Sequence, residues 1–157
     1  MKALGLSFLG RAADLGPLFI RLGVGLIFAW HGWEKFDSGV INLAGGLTSL
    51  NVPFPEVVAW LMVIAEGVGG LLLIIGLFTR FVTLPLIAIM VGAILLVKVD
   101  VGFAVADALG AEFDVALLAG LLGLLFIGPG RLSLDGALGL APSAAPLTPR
   151  RGTSAAA

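Results

Sequence analysis

Four long apolar stretches divide the chain, with polar residues gathered between them. They run from Leu15 to about Phe36, Val57 to Leu77, Phe81 to Val97 and about Phe113 to Gly128. Crossing the hydrocarbon core of a bilayer takes ~20 apolar residues as a helix, with a range of about 17–25. A helix of a water-soluble protein would carry a polar stripe at a 3.6-residue period. The run Leu71-Leu72-Leu73-Ile74-Ile75 and the whole third stretch are apolar on every side. Membrane-spanning strands would alternate apolar and polar positions over ~10 residues, and no stretch does. The pattern predicts an all-α integral membrane protein, a four-helix bundle with spans near 15–36, 57–77, 81–97 and 113–128.

The segments between the spans add detail. Asn51-Val52-Pro53-Phe54-Pro55 stops any helix before it and sets the start of the second span. The apolar positions from Val40-Ile41 through Leu47 to Leu50 suit a short helix lying in the membrane interface, and Lys98 to Glu112 reads similarly. The leader Met1 to Asp14 carries Lys2 and Arg11. The run after it is too long for a signal-peptide core and has no small-x-small cleavage site before His31, so it is expected to stay in the membrane. Residues 1–136 read as one four-span domain, and 137–157, rich in Ala, Pro, Ser and Thr, as a disordered cytoplasmic tail.

Small residues recur four apart at Gly25/Ala29, Ala65/Gly69, Ala88/Gly92, Ala116/Gly120 and Ala119/Gly123. Such pairs let membrane helices approach closely, which favours a compact bundle. With four spans, both termini and the Thr79-Arg80 link share one side. That side holds Lys2, Arg11, Arg80, Arg131, Arg150 and Arg151, against only Lys35 and Lys98 opposite. Lysine and arginine accumulate on the cytoplasmic side, so both termini are expected there, in the cell (inner) membrane.

Composition sharpens this picture mainly by exclusion. Apolar residues make up 59% and charged ones 12%, where a soluble domain carries about 25% charged residues. A net charge of −1 leaves no footprint for nucleic acid. Without cysteine, disulfides, thiol exchange and thiolate-held iron–sulfur clusters are excluded. A single histidine, His31, excludes bis-histidine haem within one chain, and His31-x-x-Glu34 offers two metal ligands at best, so no metal site is expected.

The chemistry therefore rests on the few charges at membrane depth, each costing at least ~2.5–3.5 kcal/mol to insert. Arg21 lies roughly 6–9 Å inside one edge and Glu66 some ~14 Å inside the other, at 1.5 Å per residue. Their side chains are expected to meet as an intramembrane ion pair, which either locks two helices together or sets Glu66 in a ligand or proton site. His31, Glu34 and Lys35, spaced i, i+3 and i+4, are neighbours on one helix. Lys35 falls within about 40° of Arg21 on the helix wheel, on a stripe with Phe28. Glu112 and Asp114 open the fourth helix at a similar height. This group predicts a polar pocket beneath the outer surface, floored by Trp30 or Trp33. For Trp33, Glu34 and Lys35 the alternative is an interfacial belt anchoring the helix end.

In order, the residues Arg21-Leu22-Gly23, His31-Gly32-Trp33-Glu34-Lys35, Pro53, Glu66-x-x-Gly69-Gly70-Leu71-Leu72-Leu73, Gly76-Leu77-Phe78-Thr79-Arg80 and Gly128-Pro129-Gly130-Arg131-Leu132-Ser133-Leu134-Asp135 resemble the DoxX family of bacterial and archaeal membrane proteins. The resemblance covers about residues 17 to 136. It implies four helices with cytoplasmic termini and a link to redox chemistry. Relatives are described as the membrane subunit of a thiosulfate:quinone oxidoreductase, as a partner of superoxide dismutase and a sulfurtransferase, and in resistance to quinone-type stress. Arg21, His31, Lys35, Glu66 and Glu112 match the family's polar positions; chemical roles do not come with them.

Three functions follow. One is a redox-linked membrane subunit that binds a quinone at His31, Glu34, Lys35, Glu66 and Glu112, its electrons coming from a partner because the chain shows no metal or flavin motif. The second is a non-catalytic scaffold or accessory subunit, to which its small size and lack of a nucleophile are suited. A small proton-coupled transporter using Arg21 and Glu66 is the third. Quinone is the cofactor expected, none being covalently bound. The partners expected are the lipid bilayer, other membrane or redox subunits, and a second copy of the chain.

Overall fold

The computed structural model describes residues 15–99, 101–104 and 110–140. The leader with Lys2 and Arg11, the loop acids Asp100 and Asp107, and the tail from 141 with Arg150 and Arg151 lie outside the described residues. The elements are α1 (Leu15–Asp37), α2 (Val40–Ser49), α3 (Pro55–Ile75), α4 (Thr79–Ala93) running into a π-helical turn (Ile94–Lys98), α5 (Ala111–Ile127) and the short α6 (Leu134–Ala137). The described residues are all-helical or turn, as the apolar pattern predicts.

Three of these helices are long and apolar enough to cross a membrane: α1, α3, and α4 with its π turn. The seventeen residues of α5 reach the lower end of the spanning range, with Glu112 and Asp114 confined to its first turn. α1, α3, α4 and α5 pack as a bundle around Val24, Phe28, Leu73, Val82, Leu86, Met90, Leu117, Leu121 and Leu124. Large apolar side chains also cover the outside, including Phe19, Leu26, Phe81 and Phe126, each more than three-fifths exposed. A surface of that kind is unstable in water and suits acyl chains. The protein is a multi-pass protein of the cell membrane.

Local chemistry sets the helix ends. Pro55 opens α3, where its missing N–H costs no hydrogen bond. α3 stops two residues before the expected Leu77 because Gly76 takes a left-handed conformation, φ 71°. The Leu77 and Gly76 N–H groups then turn back to the Leu72 and Leu73 carbonyls at 2.9 and 3.1 Å, closing a Schellman motif. Any side chain at Gly76 would also run into Arg21 and Ser133.

α2 occupies the position expected of the interfacial helix and packs on α3. Between the π turn and α5 the described residues, 99, 101–104 and 110, are not helical. There the Gly102 and Phe103 carbonyls accept from the Ala111 and Glu112 N–H groups at 3.1 and 3.0 Å, folding the loop back over the start of α5. Ala137 to Leu140, expected to begin the tail, are held by backbone bonds to Ser133, Leu134, Asp135 and Gly136.

The α1–α3 contact governs where side chains meet. A Cβ at Gly32 would strike the Gly67 backbone, and one at Gly70 would strike Ala29 and the Gly25 carbonyl. Close approach therefore pairs residue 32 with 67 and 29 with 70. Gly120 gives similar access to Val24 of α1, and Gly69 to Val82 of α4. Gly92 and Gly123 meet nothing within 4 Å, so those expected contacts are not made.

Candidate functional site

The helix register separates the two charges expected to pair. With residues 32 and 67 at one level, Glu66 stands opposite about residue 33 and Arg21 opposite about residue 78. The 12 intervening residues correspond to roughly 18 Å along the helix, too far for any side chain to bridge. Depths counted inward from each span's edge underestimated this offset. Glu66 pairs with Lys35 instead, and Arg21 donates through Nη2 to the Leu132 carbonyl. The transporter reading, which required an Arg21–Glu66 pair, loses its basis.

Arg21 belongs to the opposite end of the bundle. It is fully buried beside the turn at Gly76, with Asp135 in electrostatic range and its Nε and Nη1 without hydrogen-bond partners. The Asp135 carboxylate accepts from the Phe78 and Thr79 N–H groups at 2.8 and 2.9 Å, capping the start of α4, while its own N–H donates to the Gly76 carbonyl at 2.9 Å. Asp135 thus ties the segment after α5 to the α3–α4 turn. This is structural work at one end of the bundle.

At the other end, four elements enclose a cavity of about 200 Å³. α1 brings His31 and Lys35, α3 brings Glu66, the π turn brings Lys98 and α5 brings Asp114. Phe28, Met62, Met90, Phe113 and Leu117 supply apolar walls. On α4 the lining residues are Ile89, Met90 and Ala93, and the next is Lys98. That five-residue step from Ala93 to Lys98 matches the π turn; α-helical spacing would have presented Val97 instead. The wider turn is what places Lys98 in the cavity wall.

Each polar group reaches the cavity differently. Lys35 and Glu66 form an ion pair across the α1–α3 contact, with the Glu66 side chain almost wholly buried. His31 Nδ1 lies 2.8 Å from the Ile27 carbonyl. A carbonyl can only accept, so Nδ1 carries the proton and Nε2 is left free of that bond. The imidazole leans on Phe113, ring centres 6.2 Å apart. Asp114 is 8% exposed, and its Oδ2 is buried without a hydrogen-bond partner.

The structure brings together three of the five expected site residues, His31, Lys35 and Glu66. Glu34 is exposed and does not line the cavity. Glu112 lies against Gly110 at the start of α5, its Oε2 buried and unpartnered, and is not in the cavity wall either. Asp114, two positions along, takes that place. Trp30 and Trp33 are 66% and 60% exposed and do not form the floor. Trp33 instead neighbours Phe36, which neighbours Trp60, at ring distances of 6.1 and 6.5 Å. That row at the helix ends matches the interfacial belt.

Comparison with known proteins agrees with this architecture. The DoxX family profile matches residues 16–99. An uncharacterized membrane protein of Mycobacterium tuberculosis is 38% identical over 125 residues, covering 74% of this chain and 77% of its own length. CatD of Bacillus subtilis, provisionally named as an oxidoreductase, is 32% identical over 130 residues, 81% of this chain and 90% of that one. The inner membrane protein YphA of Escherichia coli is 32% identical over 143 residues, 80% and 92% of the two chains. No solved structure matches significantly.

Proposed function

Since the chain belongs to the DoxX family of membrane proteins, we propose that it is the membrane subunit of a redox-linked complex and that its polar cavity holds a quinone head group. The observation carrying this is the buried Asp114 Oδ2, without a hydrogen-bond partner, in a cavity wall shared with His31, Lys35, Glu66 and Lys98. An unpaired buried polar atom costs about 1–3 kcal/mol, and a ligand with polar atoms offsets that cost. The size agrees: a cavity of ~150 Å³ accepts a benzene molecule, and this one is about 200 Å³. The provisional naming of CatD as an oxidoreductase points the same way.

The side chains suit a ring that changes between two carbonyls and two hydroxyls. Lys35 has three N–H donors, of which Glu66 takes one, leaving donors for a carbonyl oxygen. Neutral His31 presents Nε2 as an acceptor to a hydroxyl; protonated, it presents a donor to a carbonyl. Asp114 can give or take a proton on the opposite wall. Reducing the ring takes two electrons and two protons. His31 and Asp114 handle the protons, and an electron-donating partner protein supplies the electrons.

Titrating the purified protein with menaquinone and ubiquinone analogues tests this reading. Saturable binding is expected, weakened about tenfold or more by His31→Ala or Asp114→Asn, as loss of one hydrogen bond to a charged group of about 1.5–3 kcal/mol requires. Wild-type protein that binds neither analogue overturns the proposal. Binding unchanged in both variants removes the quinone from this cavity.

A further inference from the structure

We infer that the ligand is an amphiphile whose long hydrocarbon tail lies in a groove beneath α2 that adjoins the polar cavity. This rests on the quinone reading above, and it assigns the part of the molecule that the small cavity cannot hold.

The groove encloses about 560 Å³ between α2, α3 and α4, and its walls are apolar apart from Asn42. Met62, Ile89 and Ala93 line both the groove and the polar cavity. One side of that three-residue wall therefore faces His31, Glu66 and Asp114, and the other faces hydrocarbon-like surface. A molecule with a hydrogen-bonding ring and an alkyl or isoprenoid chain matches this division of polarity. A wholly polar ligand leaves the groove unfilled, and a wholly apolar one leaves Asp114 Oδ2 without a hydrogen bond.

Glycines support a space kept open for an occupant. Gly46 of α2 and Gly92 of α4 both line the groove, and a Cβ at either would meet nothing within 4 Å. Glycine inside a helix is less stable than alanine. At Gly32 and Gly70 close helix contact offsets that cost; at Gly46 and Gly92 no protein contact does. Both leave the groove wider than any larger residue would.

In a bilayer a tail gains little by leaving lipid for a protein groove, since acyl chains are equally apolar. The groove thus selects by shape, while the polar cavity supplies the affinity. Obstructing it should exclude long-tailed molecules and spare tail-less ones.

The experiment compares a tail-less benzoquinone or naphthoquinone head with a long-tailed analogue in wild type, Gly46→Leu and Gly92→Leu, reconstituted in lipid nanodiscs. Helix content and melting temperature are recorded for each variant. The expected result is at least tenfold weaker binding of the long-tailed analogue in the leucine variants, with the tail-less head bound as in wild type. Equal affinity of the long-tailed analogue in all three proteins overturns the tail assignment and leaves the head site standing. Equal loss of both analogues in variants that remain folded also overturns it, because the groove then does not act on the tail alone. Wild type that binds neither analogue defeats the quinone reading and this inference with it.

Discussion

The Lys35 ammonium and the Glu66 carboxylate meet across the α1–α3 contact, at the level where Gly32 and Gly67 bring the two backbones together. The close helix approach and the ion pair are therefore one feature, since the glycines fix the register that makes the charges coincide. Removing one partner leaves the other without its counter-charge in a low-dielectric interior. Lys35→Met should lower stability by about 1.5–3 kcal/mol, the range for a hydrogen bond to a charged group. Glu66→Gln, which keeps a hydrogen-bond acceptor, should cost less. Combining Lys35→Met with Glu66→Leu should recover much of the loss, because neither charge is then stranded. Thermal unfolding in detergent across the double-mutant cycle checks this; strictly additive losses refute the pairing.

The glycines divide into two classes that substitution should separate. Gly70→Ala places a methyl group against the Ala29 backbone and the Gly25 carbonyl. Such overpacking costs typically about 1–3 kcal/mol, and the helices must also separate enough to disturb the Lys35–Glu66 pair. Gly92→Ala meets open space and should be neutral or stabilising by up to about 1 kcal/mol, the helix-propensity difference. Melting temperatures should move in opposite directions. Equal destabilisation at both sites would contradict the α1–α3 register described above.

That register explains what the sequence could and could not disclose. Although the stop at Gly76 was missed and the second span carried on to Leu77, the apolar runs and the start of α3 could be read because run length and Pro55 act locally. The short helix at Val40–Ser49 was legible for the same reason. The partner of Glu66 was not, because it depends on how far α1 slides along α3, and only the backbone contact at Gly32 and Gly70 decides that. His31, Lys35 and Glu66 could be singled out as charges at membrane depth. Glu34 sat at an attractive spacing from His31 but points away from the cavity. Lys98 was hidden by the π turn, since an α-helical count from Ala93 puts Val97 on the inner face. Asp114 and Glu112 lie two positions apart, and nothing local distinguishes the one that lines the cavity from the one that meets the Gly110 loop.

Asp135 should matter more for stability than its position after the last span suggests. Its carboxylate caps α4 through the Phe78 and Thr79 N–H groups, and it stands in the field of buried Arg21. Losing a helix cap costs about 0.5–2 kcal/mol, and weakening the field around a buried guanidinium adds to that. Asp135→Ala should lower the melting temperature more than Asp135→Asn, which retains one acceptor oxygen. Neither should alter quinone affinity, since Asp135 lies at the end of the bundle opposite the polar cavity. A change in affinity without a change in stability would mean that the two ends are coupled in a way the packing does not suggest.

Orientation in the membrane follows from the same two ends. Arg80 and Arg131 lie at the end holding the α3–α4 turn and α6, and the sequence before α1 and after α6 adds Lys2, Arg11, Arg150 and Arg151; the end holding α2 has Lys35 and Lys98, beside the acids Asp37, Glu56 and Glu112. Lysine and arginine near span ends favour the cytoplasm, and acidic residues contribute little, so α6 should face inward and α2 outward. The chain has no cysteine, so an introduced one is its sole thiol. Ser49→Cys at the end of α2 and Ala137→Cys in α6 are both at exposed positions. In intact cells a membrane-impermeant maleimide should label Ser49→Cys, and Ala137→Cys only after permeabilisation. The reverse pattern would put the polar cavity near the cytoplasmic face, and protons for the proposed quinone chemistry would then have to come from inside the cell.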